Sequence, residues 1–134
     1  MRALVLLALL VLPASADQAA FYGTWGTKAQ CARQPIKPGG TVLAEPVEIS
    51  PEWLRQGTLW CRLDWFPLER REDGLFTGAF VHCGEDSLRS YVLGMVMTSD
   101  TLTLRWDLLR RNGPLTRCSG TTSTPPPAPP PAPG

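Results

Sequence analysis

Apolar residues fall at alternate positions over much of the chain. Leu59, Cys61, Leu63 and Trp65 alternate with Trp60, Arg62 and Asp64, and the same period runs through Ala79, Val81 and Cys83 and through Leu102, Leu104 and Trp106. A period of two puts every second side chain on one face of a strand. It predicts strands over 21–26, 42–49, 59–68, 75–83, 88–97, 102–108 and 115–118. Turn-forming residues separate the later ones: Glu72-Asp73-Gly74, Gly84-Glu85-Asp86-Ser87, Ser99-Asp100 and Asn112-Gly113. Helical character is confined to Ser50-Pro51-Glu52-Trp53-Leu54, where Ser at the N-cap and Pro in the first turn predict one short helical turn. Short strands at such even spacing define an all-β fold: a small antiparallel β-barrel, or a β-sandwich, built as a meander.

Register follows from loop length. A five-residue loop over 70–74 would set Cys61 opposite Cys83, Leu63 opposite Val81 and Trp65 opposite Ala79. Opposed side chains have Cβ atoms about 4.5–5.5 Å apart, within reach of a disulfide after small adjustment. Four cysteines allow three connectivities, and this register favours Cys61–Cys83. It leaves Cys31–Cys118, which would tie the exit of the first strand to the last. A loop over 84–87 then places Val81 beside Ser90 and Ala79 beside Val92. A turn at Ser99-Asp100, however, joins Met97, Met95, Leu93 and Tyr91 to Leu102, Leu104, Trp106 and Leu108, using the other face of the same strand. Either that strand is apolar on both faces or a bulge near Gly94 flips it. Two apolar faces would leave an exposed patch that marks a partner site.

Composition separates the ends from this middle. Met1-Arg2, an almost wholly apolar run over 3–12 and Pro13-Ala14-Ser15-Ala16 have the layout of a secretory signal peptide cleaved before Asp17. The run is too short to span a bilayer, and no later segment is apolar enough to do so. Residues 120–134 hold seven of the fourteen prolines. Pro and Ala over 125–133 predict an extended, disordered polyproline II tail, serving as a spacer or as a ligand for a proline-binding groove. The expected organisation is a signal over 1–16, one β domain over 17–119 and the tail over 120–134. A periplasmic or secreted location follows, where four cysteines would pair as two disulfides.

Charge narrows the partner class. Thirteen basic and twelve acidic residues become twelve of each once Arg2 is removed with the signal. A neutral domain has no net field to gather phosphate backbones or anionic lipid, so nucleic acid is not expected as a partner. The doublets Arg70-Arg71 and Arg110-Arg111 lie beside turn signals and read as solvated turn charges. The cysteines are 30, 22 and 35 residues apart and His82 is the single histidine, so the clustered ligands of a zinc site are missing. No metal or cofactor is expected. There is also no Gly-rich phosphate loop, H-E-x-x-H or G-x-S-x-G. His82 would face Arg89 across a hairpin, on the solvent side. The carboxylates are scattered and no catalytic residue is assigned; a small hydrolase would have to gather Glu45, Glu48, Glu69 or Asp107 into one pocket.

One local motif is informative. Tyr22-Gly23-Thr24-Trp25, followed shortly by Cys31, places G-x-W at the start of the first strand. This resembles the opening of lipocalin-like (calycin) barrels, and more distantly the small barrels of bacterial periplasmic metalloprotease inhibitors. The resemblance rests on Gly23 and Trp25 and covers about fifteen residues. It implies a barrel in which Trp25 packs across the closed end. In the inhibitor branch, residues 17–21 form an arm that enters a protease cleft. The chain departs from that branch in having four cysteines where two are expected, a very short arm and a Pro-rich tail.

Trp25, Trp65 and Trp106 alternate with core positions, whereas Trp60 falls on the opposite face from Cys61, Leu63 and Trp65. Interfaces are enriched in tryptophan, which makes Trp60 a candidate contact residue, with Tyr22 and Phe21 at the arm. An exported, non-catalytic binding module for a protein partner or a small apolar ligand ranks first. Protease inhibition is a minority branch of that class. An envelope structural or assembly factor, docking through strand edges and the tail, ranks second, and a small hydrolase last. The oligomeric state is not legible.

Overall fold

In a computed structural model, which describes residues 14–84, 90–107 and 109–118, the strands form one antiparallel sheet closed into a barrel. Strand β1 (Gly23–Gly26) lies between β2 (Val47–Ile49) and β9 (Arg111–Arg117). From β2 the sheet passes through β3 (Trp53–Gln56) to β4 (Leu59–Trp65). From β9 it passes through β8 (Thr101–Arg105) and β7 (Ser90–Thr98) to β6 (Gly74–Cys83). Pairing of β4 with β6 closes the ring. The short β5 (Glu69–Arg71) extends the line of β4 along β6, so eight strands complete the barrel. No helix among the described residues is long and apolar enough to cross a membrane.

Both disulfides are those the register favours. Cys61 pairs with Cys83 across β4 and β6, and Cys31 joins Cys118 across 87 residues of chain. Leu63↔Val81 and Trp65↔Ala79 also stand as expected. The loop that sets this register differs. Arg71 pairs with Gly74, so the turn holds only Glu72 and Asp73, and β5 is offset by one residue from β4 along β6. The offset falls at Phe66-Pro67-Leu68, where proline has no N–H to offer the ladder.

The next hairpin is one position out of the expected register. Val81 lies opposite Tyr91, not Ser90, and Ala79 opposite Leu93, not Val92. Met97↔Leu102 and Met95↔Leu104 match expectation. The conflict over β7 therefore disappears without a bulge at Gly94. Leu93 and Met95 point inward against both neighbours and are fully buried. A slip of one residue exchanges the faces of a strand, and burying these large side chains decides between the registers.

Three local expectations fail for identifiable reasons. Ser50 Oγ does accept the Trp53 N–H at 3.1 Å, as an N-cap would, but Ser50 N–H donates to the Trp53 carbonyl at 2.8 Å. The chain turns back at Pro51-Glu52 into β3, so there is no helical turn and β3 is an additional strand. The strand expected over 42–49 shrinks to Val47–Ile49. Asn112-Gly113 is not a turn but part of a bulge in β9, where Leu102 pairs with Leu115 and Leu104 with Asn112. A one-turn helix, α1 (Lys28–Cys31), follows β1 and carries a capping box between Thr27 and Gln30.

The turn between β8 and β9 is built on Asp107. Its carboxylate accepts the N–H groups of Leu109 and Arg110, both at 2.7 Å, and the Arg110 Nε–H at 2.9 Å. Hydrogen bonding by Arg110, then by the two amides, holds the Asp107 carboxyl below the usual carboxylate range. A depressed folded-state value means that the turn is stabilised above the ordinary aspartate pKa of about 3.9 and loses that support as pH falls through the folded value. Hydrogen-exchange protection of the Leu109 and Arg110 amides is expected to persist at neutral pH and collapse in acid. Asp107→Asn should remove most of this pH dependence. Protection that stays unchanged as the pH is taken down to about 1.5, well below the ordinary aspartate value, would refute the assignment.

Fifteen side chains form one cluster inside the ring, among them Phe21, Trp25, Ile49, Leu54, Val81, Leu93, Met95, Leu102 and Leu104. A 3-10 helix (Ala14–Phe21) precedes β1 and delivers Phe21 to this core. Gly23, at φ 128°, turns the chain from that helix into β1, a conformation that disfavours any side chain. Trp25 then fills the interior beneath the helix. Its indole N–H donates to the Phe21 carbonyl at 3.0 Å. From β9, the Arg117 guanidinium lies 4.3 Å from the Trp25 ring centroid and donates to the carbonyls of Tyr22 and Ala20 at 2.6 and 2.7 Å.

Candidate interaction surface

The residues expected at the arm are occupied by the fold. Phe21 is fully buried, and Tyr22 is buried with its ring edge-on to Trp65 at 6.0 Å. Burial pushes the Tyr22 phenol above its usual pKa. Gln18 is buried too and donates to the Phe66 carbonyl at 3.0 Å. The end of the arm is therefore packed onto the barrel, and Phe21 and Tyr22 present no surface to a partner.

Trp60 does lie on the outer face, half-buried between two neighbours. Arg55, its cross-strand partner, sits 5.2 Å from the ring centroid, and Trp53 packs edge-on at 6.4 Å. Arg55 in turn pairs with Glu48 on β2. The stacking partner, Arg55, is set by the β3–β4 register. Two rows of outward side chains, Glu48–Arg55–Trp60 and Trp53–Arg62–His82, run across β2, β3, β4 and β6.

The titratable groups are dispersed over separate ion pairs. Glu45 bonds Arg33, Glu69 is held by both ends of the Arg71 guanidinium at 3.0 Å, and Asp107 has Arg110. The hydrogen bonds from Arg71 lower the Glu69 pKa. A hydrolase would need converging carboxylates with at least one raised, whereas these three and Glu48, which pairs with Arg55, lie on different elements, each beside its own arginine. His82 Nε2 lies 3.0 Å from Asp64, and Ser90 is its cross-strand neighbour on β7. That trio stands on an outer sheet face, and no Ser90–His82 hydrogen bond exists among the described residues. Arg89, expected opposite His82, and the Pro-rich tail lie outside the described residues. Among those residues no three His, Cys, Asp or Glu side chains cluster as a metal ion would require.

The most conspicuous surface feature is the loop over 33–45, between α1 and β2. It contains Ile36, 63% exposed, and Val42, 66% exposed, with Leu43 also on the surface. Backbone bonds hold it as a miniature hairpin: Ile36 N–H donates to the Val42 carbonyl at 2.9 Å and Ala44 N–H to Gln34 at 2.8 Å. At the tip, Gly40 N–H donates to Lys37 at 2.9 Å across Pro38-Gly39, with Gly39 at φ 75°, as a type II turn demands. The base carries the Arg33–Glu45 ion pair at 2.6 Å, and the Cys31–Cys118 bridge fixes one foot. Ile36, Lys37, Gly40, Thr41 and Val42 line a surface groove of about 380 Å³. The pattern of the sequence predicts a strand from Val42, whereas Val42 and Leu43 belong to this loop and β2 begins at Val47. The signal that could have located the loop is the run Pro35–x–x–Pro38-Gly39-Gly40 just after a cysteine.

Fold and surface together define a small eight-stranded antiparallel barrel with a core of packed side chains, two disulfides and a braced loop presenting apolar residues. The closed barrel is compatible with the lipocalin-like architecture that G-x-W suggested. Comparison with known proteins finds no family model, curated protein or solved structure that matches the chain significantly.

Proposed function

We propose that the protein is an exported, non-catalytic binding module that recognises a protein partner through the loop over 33–45. The observation that carries this reading is the combination of order and exposure. Ile36 and Val42 stay exposed on a loop whose backbone is tied by three hydrogen bonds, an ion pair and a disulfide. Exposed apolar side chains on a pre-ordered loop gain affinity because little conformational entropy remains to be lost on binding. Two disulfides suit a periplasmic or secreted location. The packed interior favours surface recognition over carriage of a small ligand inside the barrel. The arm route to protease inhibition receives no support from the burial of Gln18 and Phe21. Barrel closure gives each strand of the ring a neighbour on both sides and leaves only short open edges, on β5 and along residues 111–115 of β9, for an assembly factor to use.

The test is the double substitution Ile36→Glu and Val42→Glu. Both side chains are exposed, so stability should change by no more than about 0.5 kcal/mol each. Immobilised wild-type chain should retain a protein from the envelope and secreted fraction of the source cells. The variant should retain it at least about ten-fold less, as loss of central apolar anchors implies. Equal retention by both would refute the loop as the contact surface.

A further inference from the structure

We infer that residues 125–133 bind back onto a groove on the outer face of β6 and β7. Where neighbouring strands normally carry opposed side chains, Gly78 faces Gly94; Phe66 covers Gly78, which is buried, so the open stretch of sheet lies over Gly94. Phe76 and Val96 form the pair on one side of this gap, and Phe80 and Val92 the pair on the other. Phe80 is 45% and Val92 55% exposed. Phe66 leans over Gly78 and meets Phe80 edge-on at 4.8 Å. On this face Phe66, Phe76, Gly78, Gly94 and Val96 line a groove of about 410 Å³, with Arg105 and the Glu69–Arg71 pair at its rim; Phe80 and Val92 continue the apolar face outside its lining.

This surface asks for a particular chemistry. Its floor is open at Gly94, and Phe66, Phe76 and Val96 make its walls aromatic and aliphatic. Glu69 and Arg71 neutralise each other, and Arg71 stacks 4.2 Å from the Phe76 centroid. An uncharged, extended, apolar segment fits. Polyproline II segments dock in aromatic-lined grooves of this kind, and a proline has no N–H to satisfy, only a carbonyl that a rim donor such as Arg105 meets. Residues 125–133, Pro and Ala throughout, supply that segment in the same chain.

Reach is sufficient. Cys118 lies beside Thr24 at the end of β9, at the same end of the barrel as Thr101 and Thr98. The Phe76–Val96 end of the groove is near this end. From β9 to β6 is three strand spacings, roughly 14 Å around the barrel. Residues 119–124 extend to about 20 Å, and a polyproline II segment over 125–133 spans about 28 Å. The groove does not involve the loop over 33–45, so the two sites fail independently.

The experiment places a photoreactive side chain in the full-length chain, Ala128→p-benzoylphenylalanine, and maps the crosslinks by mass spectrometry. Products of monomer mass linked to residues 66–80 or 92–105 are expected. Gly94→Val should cut their yield about ten-fold. A Cβ at Gly94 approaches only Arg105, its side chain at 3.5 Å and its carbonyl at 3.8 Å, so the variant fills the groove without a backbone clash. If it fails to fold, Val96→Lys on the same outer face serves the same purpose. Crosslinks elsewhere on the barrel, products of dimer mass showing a second copy as acceptor, or a yield unchanged by either variant would each overturn the inference.

Discussion

Trp25→Ala is expected to cost about 3–5 kcal/mol of stability, the range for emptying an aromatic site in a core. Trp25 is 1% exposed and fills the barrel beneath the N-terminal helix, so its removal opens a cavity that the surrounding strands cannot readily close. Two further losses accompany the cavity. The Phe21 carbonyl loses its indole donor, and Arg117 loses the ring it stacks on. Trp25→Phe separates the contributions: it keeps an aromatic face for Arg117 but leaves the Phe21 carbonyl unpaired, which costs about 1–3 kcal/mol on its own. Urea titrations of the three proteins should rank wild type above Trp25→Phe above Trp25→Ala. A domain of this size has about 5–15 kcal/mol in all, so the alanine variant should be close to unfolding. A cost below about 1.5 kcal/mol for alanine would show that Trp25 is not the keystone of this end.

Removing the Cys31–Cys118 bridge by a double alanine substitution is expected to destabilise the protein by about 4–5 kcal/mol, against about 3 kcal/mol for Cys61–Cys83, on the chain-entropy model. The difference arises from loop size, 87 residues of separation against 22. The consequences differ in kind as well. Cys31–Cys118 anchors the foot of the loop over 33–45, so its loss should weaken partner retention even where the barrel stays folded. Cys61–Cys83 braces a β4–β6 pair already in register and should leave retention intact. Melting curves and retention, read together on both variants, check this. Equal effects of the two removals on retention would separate the loop from its disulfide.

How much was legible depended on how local the cause was. The Cys61–Cys83 pairing was readable because a hairpin register propagates rigidly from any one correct pair, and Leu63↔Val81 and Trp65↔Ala79 come with it. The turn itself is two residues and not five, and the offset at Phe66-Pro67-Leu68 restores the same β4–β6 register. At Ser50 the same Ser-to-Trp53 hydrogen bond starts a helix or closes a β-turn, and only the packing of Leu54 in the core selects the strand. The burial of Phe21 and Tyr22 is not legible locally, because it depends on where the preceding helix lies.

By itself the sequence determined the all-β class and most of the alternating strands and favoured the cysteine pairing, since these follow from a period of two and from short-range geometry. Only the tertiary structure decided that the sheet closes, which face of β7 is inside, and that Ile36 and Val42 stand in solvent while Phe21 is buried. The physical reason is that apolar character records a tendency to leave water without naming the surface that will cover it. Closure of β4 on β6 creates that surface for fifteen side chains and leaves the loop over 33–45 outside it.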